Sequence, residues 1–545
     1  LFWVAEKGGG WFHGKVADTS FGGGVESHTA DYRHFNVALT VSLDVNGDTG
    51  YVIDGAGNYD STLSQIDVFL LGSAADTFQG GNINETVFGA NGNDQLNGRT
   101  GNDALFGEAG SDSLNGGNGN DTLDGGQDND TLVGSSGNDS IEGGAGTGDV
   151  LDYASLGVSI SYDATSGIVT KGGGLGVDTV SGVETIRIGN ASDSMSGNSA
   201  AEHFLGQDGN DSLSGNAGSD TLDGGLGNDS LSGGNDADYI AGGTGQDTLD
   251  GGLGDDVLYS AIDGSNDELH GSGGNDVADW RTAASGLTVS FSAAGAGSVA
   301  GGGAGEFDTF DGIETLVLGA ASDTFTGSAG DDVVRGYLGA DSLNGGDGND
   351  VFLLATGDGV DTIDGGNGTD TIRAQSAGVT VTMGLVSNVE AFDGAGFANF
   401  VLAGGIGNDT LDFTGKTLTG VARIDGGAGN DTITGSAGAD TLAGGAGNDA
   451  LDGGEGGDTY LVSASTGTDA IADTGATGTD TIRAQSAVTI VWAAGNGIEA
   501  VDGAGFANVA LSGTAIGDTL DFSGVALTGV ARIDGGAGND TITGS

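Results

Sequence analysis

The chain has 545 residues, too many for one ordinary globular core, with 116 Gly, no Pro and no Cys. Its formal charge is −65, from 13 Lys and Arg against 78 Asp and Glu; this disfavours nucleic acid and demands either disorder or a neutralising cation. The absence of Cys excludes disulfides, thiolate metal sites and thiol nucleophiles, and no stretch reaches the roughly 18 apolar residues that cross a bilayer.

Residues 1–71 read as the end of a preceding β module followed by a strand segment. Phe2–Lys15 (FWVAEKGGGWFHGK) concentrates aromatics. It reads as the tail of that module, with a carbohydrate-stacking surface as the sharper alternative. Val37, Leu39, Val41 and Leu43 then alternate with small or polar residues, the pattern of a strand with one buried face.

A nine-residue repeat fills 72–149. Gly116–Val133, GGNGNDTLDGGQDNDTLV, shows two units end to end, each with Gly-Gly first, Asp sixth and Leu eighth. From Glu85 the sixth-position acids step by nine through Asp94, Asp103, Asp112, Asp121, Asp130 and Asp139. A disordered acidic tail has no reason to keep such a register.

The pattern then alternates. Residues 150–188 form a β segment (Val158, Ile160, Tyr162) that ends in GVETIRIG. The second run, 189–276, carries Glu202, Asp211, Asp220, Asp229, Asp238, Asp247, Asp256 and Asp276. A β segment at 277–318 (Leu287, Val289, Phe291) precedes a third run at 319–370 with Asp332, Asp341, Asp350 and Asp370. The segment 371–425 (Val379, Val381, Met383) contains Asp409 and leads to the run 426–480 with Asp431, Asp440, Asp449 and Asp458. Residues 481–533 duplicate 371–425, and Asp540 opens a fifth run at 534–545. DTIRAQSA recurs at Asp370 and Asp480, and GVARIDGGAGNDTITGS at Gly420 and Gly529. The sequence stops inside a repeat, so it reads as a piece of a longer protein.

Within one unit, GGxGxD suits a tight turn with positive φ, and the next three residues suit a short strand with the hydrophobe inward. Two units make an 18-residue coil. Leu96 should then stack near Leu114 and Leu132, and Leu105 near Leu123 and Ile141. Asp94, Asp112 and Asp130 should line one edge, and Asp103, Asp121 and Asp139 the other. Coils about 4.8 Å apart would stack like charges, and a hard dication relieves this. Ca²⁺ takes six to eight oxygens, carboxylate and carbonyl alike, and Gly-rich turns offer both. All the sixth-position Asp residues named above are therefore candidate calcium ligands, multiple ions being expected. The ninth-position acids Asp124, Asp223, Asp250 and Asp452 read as exposed solubilising charges.

The units at Gly116, Gly224, Gly242, Gly345, Gly426 and Gly444 resemble the RTX (repeats-in-toxin) family, with its hemolysin-type calcium-binding nonapeptides. The resemblance implies an all-β, parallel β-roll or β-solenoid, export from a Gram-negative bacterium by a one-step channel, and folding outside the cell on meeting calcium. Asp128 and Asp236 stand where the motif wants Gly, and GNSAAEHFL at Gly197 lacks most glycines; weaker or missing ions are expected there.

Catalysis finds no support. None of His13, His28, His34, His203 and His270 lies in HExxH, and no GxSxG elbow occurs. The expected role is extracellular or cell-surface and structural or adhesive, as in a surface layer, matrix filament or adhesin. Its expected partners are calcium, further copies, or the cell surface or matrix. The alternative is the calcium-folded secretion region of an exported enzyme or toxin whose active domain lies elsewhere.

Overall fold

The three residues around each repeat hydrophobe are extended, and the hydrophobe is the one that turns inward. In the computed structural model, Gln95–Asn97, Ala104–Ala109, Ser113–Asn115, Thr122–Gln127 and Thr131–Val133 are successive strands, with Leu96, Leu105, Leu114, Leu123 and Leu132 buried. The structure describes every residue except 1, 4–14, 19–27, 45–49, 55–58, 64–65, 294, 302–305, 465–466 and 494. Most of the aromatic segment, Trp11 and Phe12 included, lies outside the described residues, and with it the carbohydrate-stacking reading.

Successive strands fall on opposite faces. Leu96 pairs in parallel with Leu114, and Leu114 with Leu132. Leu105 pairs with Leu123, and Leu123 with Ile141. One coil is therefore two nonapeptide units, and the fold is the parallel β-solenoid that the spacing requires. Two apolar rows face each other as a thin core, with side chains interdigitating across it.

The turns are as tight as their composition allows. Positions two and four take positive φ, as at Gly117 (92°) and Gly119 (142°). A Cβ on Gly119 would collide with the carbonyl oxygen of Gly101, one coil back. Position two tolerates Arg99 (φ 73°) and Glu108 (φ 75°); at position four Asp128 (φ 71°) and Asp236 (φ 70°) keep φ positive, but at a smaller angle than the glycines there.

Two compact units are present, Leu1–Asp279 with Phe307–Ile313, and Trp280–Glu306 with Glu314–Ser545. In the first, an antiparallel meander of Ile160–Asp163, Ile168–Lys171 and Gly176–Ser181 interrupts one sheet. Gly176–Ser181 rejoins it parallel to Ser140–Gly144, and Ile160–Asp163 parallel to Ser194–Ser196. In the second, Thr288–Ala293 and Ala296–Gly301 form a similar hairpin.

The duplicated segments are built differently: they continue the parallel stack in longer coils. Val351–Leu354 is followed laterally by Thr371–Ala374, Ala391–Asp393 and Thr417–Thr419. Thr459–Val462 is followed in the same order by Thr481–Ala484, Ala500–Asp502 and Ala526–Thr528. Among the described residues there is no α-helix, only two single 3-10 turns, and no helix long and apolar enough to cross a membrane.

Candidate metal centre

Each sixth-position Asp sits where a glycine turn becomes a strand, so its backbone is held by the coil that follows. The Asp94 carbonyl accepts from the Ser113 amide, and the Asp103 carbonyl from Thr122, both at 2.8 Å. Its amide is held by the next acid in the row. Asp94 N–H donates to Asp112 Oδ1 and Asp112 N–H to Asp130 Oδ1, both at 2.7 Å. On the other edge Asp103 donates to Asp121 (2.8 Å) and Asp121 to Asp139 (2.9 Å). The two expected rows exist, 18 residues per step.

The rows persist where the nine-residue spacing fails. Asp130 donates to Asp149 and Asp139 to Asp178. In the second run Asp211 donates to Asp229 and on through Asp247 to Asp267, while Asp220 leads through Asp238 and Asp256 to Asp276. In the other unit Asp332 leads to Asp350 and Asp370, Asp341 to Asp361, Asp409 to Asp431 and Asp449, and Asp440 to Asp458 and Asp480. Half-buried Asp540 accepts from Asp518.

This bond uses one carboxylate oxygen; the other is often stranded. Oδ2 of Asp94, Asp103, Asp112, Asp121, Asp130, Asp211, Asp220, Asp229, Asp238, Asp247, Asp256, Asp341, Asp350, Asp370, Asp431, Asp449 and Asp458 is buried without a hydrogen-bond partner. An unpaired buried charge is expensive, and the proton equilibrium records it. Burial pushes the Asp94 and Asp247 carboxyls up to about 8, and those of Asp121, Asp130, Asp211 and Asp238 up to about 7, against the pull of the donated amide bond. Neighbouring acids of the row add to the rise.

The first glycine of each unit opens the space beside these oxygens. A Cβ on Gly224 would lie 2.5 Å from both Asp229 Oδ2 and the Gly242 carbonyl oxygen. A stranded carboxylate oxygen, a carbonyl oxygen and a cavity kept free by glycine form an all-oxygen donor set. That set suits Ca²⁺, with the Asp carboxylates and glycine carbonyls as the groups that would hold it. When bound, the ion would supply the positive charge that the acid rows lack.

Asp139, Asp332, Asp409 and Asp440 differ. Asp332 and Asp440 take a bond on Oδ2 from the amide of Ser328 (2.6 Å) and Ser436 (2.7 Å), the position-two residues of their own turns, and Asp409 takes one from Gly405. Asp139 faces a cation already. Lys171 Nζ, wholly buried, lies 3.2 Å from Asp139 Oδ2, 2.5 Å from Asp178 Oδ1 and 2.6 Å from the Ser135 carbonyl. Tyr153 Oη donates to Asp178 Oδ2 at 2.6 Å.

Spacing alone missed Asp149, Asp193 and Asp361, whose oxygens are stranded in the same way, as are those of Glu85 and Glu202, which the nine-residue step had reached. Their signal is an acid two residues before a buried hydrophobe, with or without glycines: Asp149 before Leu151, Asp193 before Met195 and Asp361 before Ile363. The ninth-position acids are half-buried rather than exposed, because each flanks an inward-facing residue. Asp250 accepts from Ser272 and Asp452 from Thr474.

The RTX calcium-binding nonapeptide repeat model matches residues 79–114, 97–132, 115–149, 196–231, 232–263, 263–279, 310–352, 353–376, 425–460 and 527–545. No curated protein matches the chain. Among solved structures, the extracellular lipase LipA from Serratia marcescens matches at 20% identity and a TM-score of 0.12. That match covers 44% of this chain and 38% of the lipase. The family matches span about half of the sequence and coincide with the stacked acid rows, and the chain therefore belongs to the RTX calcium-binding nonapeptide repeat family.

Proposed function

We propose that the chain is the calcium-folded, length-giving part of an extracellular structural or adhesive protein of a Gram-negative bacterium. It is exported unfolded and sets when it meets millimolar calcium. Its acid rows are the ion sites, and it contributes extension and a repeated surface rather than a catalytic step.

The observation that carries this reading is the way the duplication was accommodated. DTIRAQSA at Asp370 and again at Asp480 supplies the equivalent strand in each copy: Thr371–Ala374 pairs with Val351–Leu354, and Thr481–Ala484, in a separate sheet, pairs with Thr459–Val462. Thr410–Asp412 pairs with Thr432–Thr434 as Thr519–Asp521 pairs with Thr541–Thr543. Repetition has added whole coils in register, which lengthens a solenoid without altering its section.

Light scattering and electron microscopy of the complete secreted protein, with and without calcium, test the reading. Calcium-dependent filaments, lattices or cell-bound material are expected. A dispersed monomer that leaves the cell freely and owes a hydrolytic or membrane-lysing activity to another domain would replace this role with that of a secretion region.

A further inference from the structure

Asp458, Asp473 and Asp480 bring three buried carboxylates together, with one oxygen from each within 4.8 Å of the others. Oxygens bound to one ion at 2.3–2.6 Å can be no more than about 5.2 Å apart, so the spacing admits a single Ca²⁺. Asp458 is fully buried and its Oδ2 has no hydrogen-bond partner. That oxygen lies against Gly453. The Gly453 amide donates to Tyr460 Oη at 2.6 Å, and Tyr460 Oη donates to Asp473 Oδ2 at 2.7 Å. The stranded oxygen thus lies beside the glycine whose amide bonds the hydroxyl that fixes Asp473.

Asp458 and Asp480 are ordinary row members, the amide of the first bonded to Oδ1 of the second at 2.8 Å. Asp473 is not: it precedes Asp480 by seven residues, near where other units begin with glycine. The internal duplicate shows what has changed. The earlier copy has Phe352 in place of Tyr460, and a unit-opening glycine, Gly365, beside Asp370. Phenol and carboxylate are present together in one copy and absent together from the other. The paired Tyr153 and Asp178 of the other unit have the same hydroxyl-to-carboxylate bond, and there Lys171 supplies the positive charge. No Lys or Arg ion pair to Asp458, Asp473 or Asp480 occurs among the described residues.

We propose that Asp458, Asp473 and Asp480 form a three-carboxylate site for one calcium ion, tighter than the ordinary turns of the repeat, with Tyr460 positioning Asp473. This rests on the calcium reading of the rows and adds to it a ligand outside the nonapeptide pattern. Affinity in calcium sites follows ligand charge and rigidity, and this site has one more carboxylate than its neighbours and a tyrosine holding it.

Chelator-competition titration of the whole chain, counting bound calcium, is the test. Wild type should retain one ion per chain after the rest have been stripped. Asp473→Asn, which keeps an acceptor for Tyr460, and Tyr460→Phe with Asp473→Gly, which restores the earlier copy's pair, should each release that ion at about tenfold higher free calcium or more. Glu455→Gln, an exposed neighbour, should not. Wild-type retention in both Asp473 variants would show that Asp473 only anchors Tyr460, and would leave the rows as calcium sites. Absence of any bound calcium in wild type would overturn both readings together.

Discussion

Lys171 Nζ stands 3.2 Å from Asp139 Oδ2 and 2.5 Å from Asp178 Oδ1, so a lysine ammonium lies between two coils of an acid row. The meander that interrupts the repeat carries it there. Removing one partner of a buried, hydrogen-bonded ion pair typically costs about 3–5 kcal/mol, because the other charge is left uncompensated. Lys171→Met should therefore loosen Ser140–Ser181 in low calcium, and added calcium should recover much of the loss by entering the vacated place. Amide hydrogen exchange across these strands is the measurement; unchanged protection would mean that Lys171 does not neutralise the row.

Protons should substitute for calcium. The raised carboxyls, about 8 at Asp94 and Asp247 and about 7 at Asp121, Asp130 and Asp238, lie above the roughly 3.9 of an unfolded Asp. The folded chain thus binds more protons than the unfolded one, and its stability falls as pH rises. The contribution is complete below about pH 4, is lost progressively as pH rises above that, and is gone above about pH 8. Circular dichroism in calcium-free buffer should show β structure at acid pH that fades through that window, and calcium should restore it at pH 8. A β signal indifferent to both pH and chelation would remove the ion argument.

Asp121→Ala should act locally. It deletes the acceptor of the Asp103 amide and one stranded oxygen in the middle of the first run. Nearest-neighbour repeats add units and interfaces, so the calcium response should weaken around Asp103–Asp139 and stay near normal at Asp211–Asp256. Equal losses in both runs, read by residue-resolved hydrogen exchange, would show one cooperative block.

Two glycine substitutions should differ sharply. Gly119→Ala forces a side chain into φ 142° and onto the Gly101 carbonyl. The backbone strain alone is worth about 1–3 kcal/mol. Gly157, in the loop before the meander, has no atom within 4 Å of the place a Cβ would take, and its alanine variant should stay within about 0.5 kcal/mol of wild type. Thermal melts in fixed calcium compare them directly.

The nonapeptide makes the coil, both apolar rows and most of the acid rows legible in the sequence, because a period of nine fixes which side chains share a face. Asp149, Asp178 and Asp361 escape it. What the fold conserves is strand register, and a loop or meander can separate two row neighbours in sequence without separating them in the stack: Asp139 and Asp178 are 39 residues apart. Lys171 is equally hidden. One cation among 78 acids carries no positional signal until the meander places it, and the same holds for Asp473, whose meaning depends on Tyr460 thirteen residues earlier.

The aspartate ladder has a direction. In each rung the amide belongs to the earlier coil and the carboxylate to the later one, as with Asp94 and Asp112 or Asp440 and Asp458. The two faces of any coil are therefore unlike: one offers a spare acceptor, the other a spare donor. Growth from the two ends is then two different reactions, as it is for a polar filament. A coil arriving on the carboxyl-terminal side brings the acid that closes the waiting amide, whereas one arriving on the amino-terminal side must present its amide to a carboxylate already competing for an ion. Setting of the array on a rising calcium gradient should have a preferred heading, fixed by chain polarity alone.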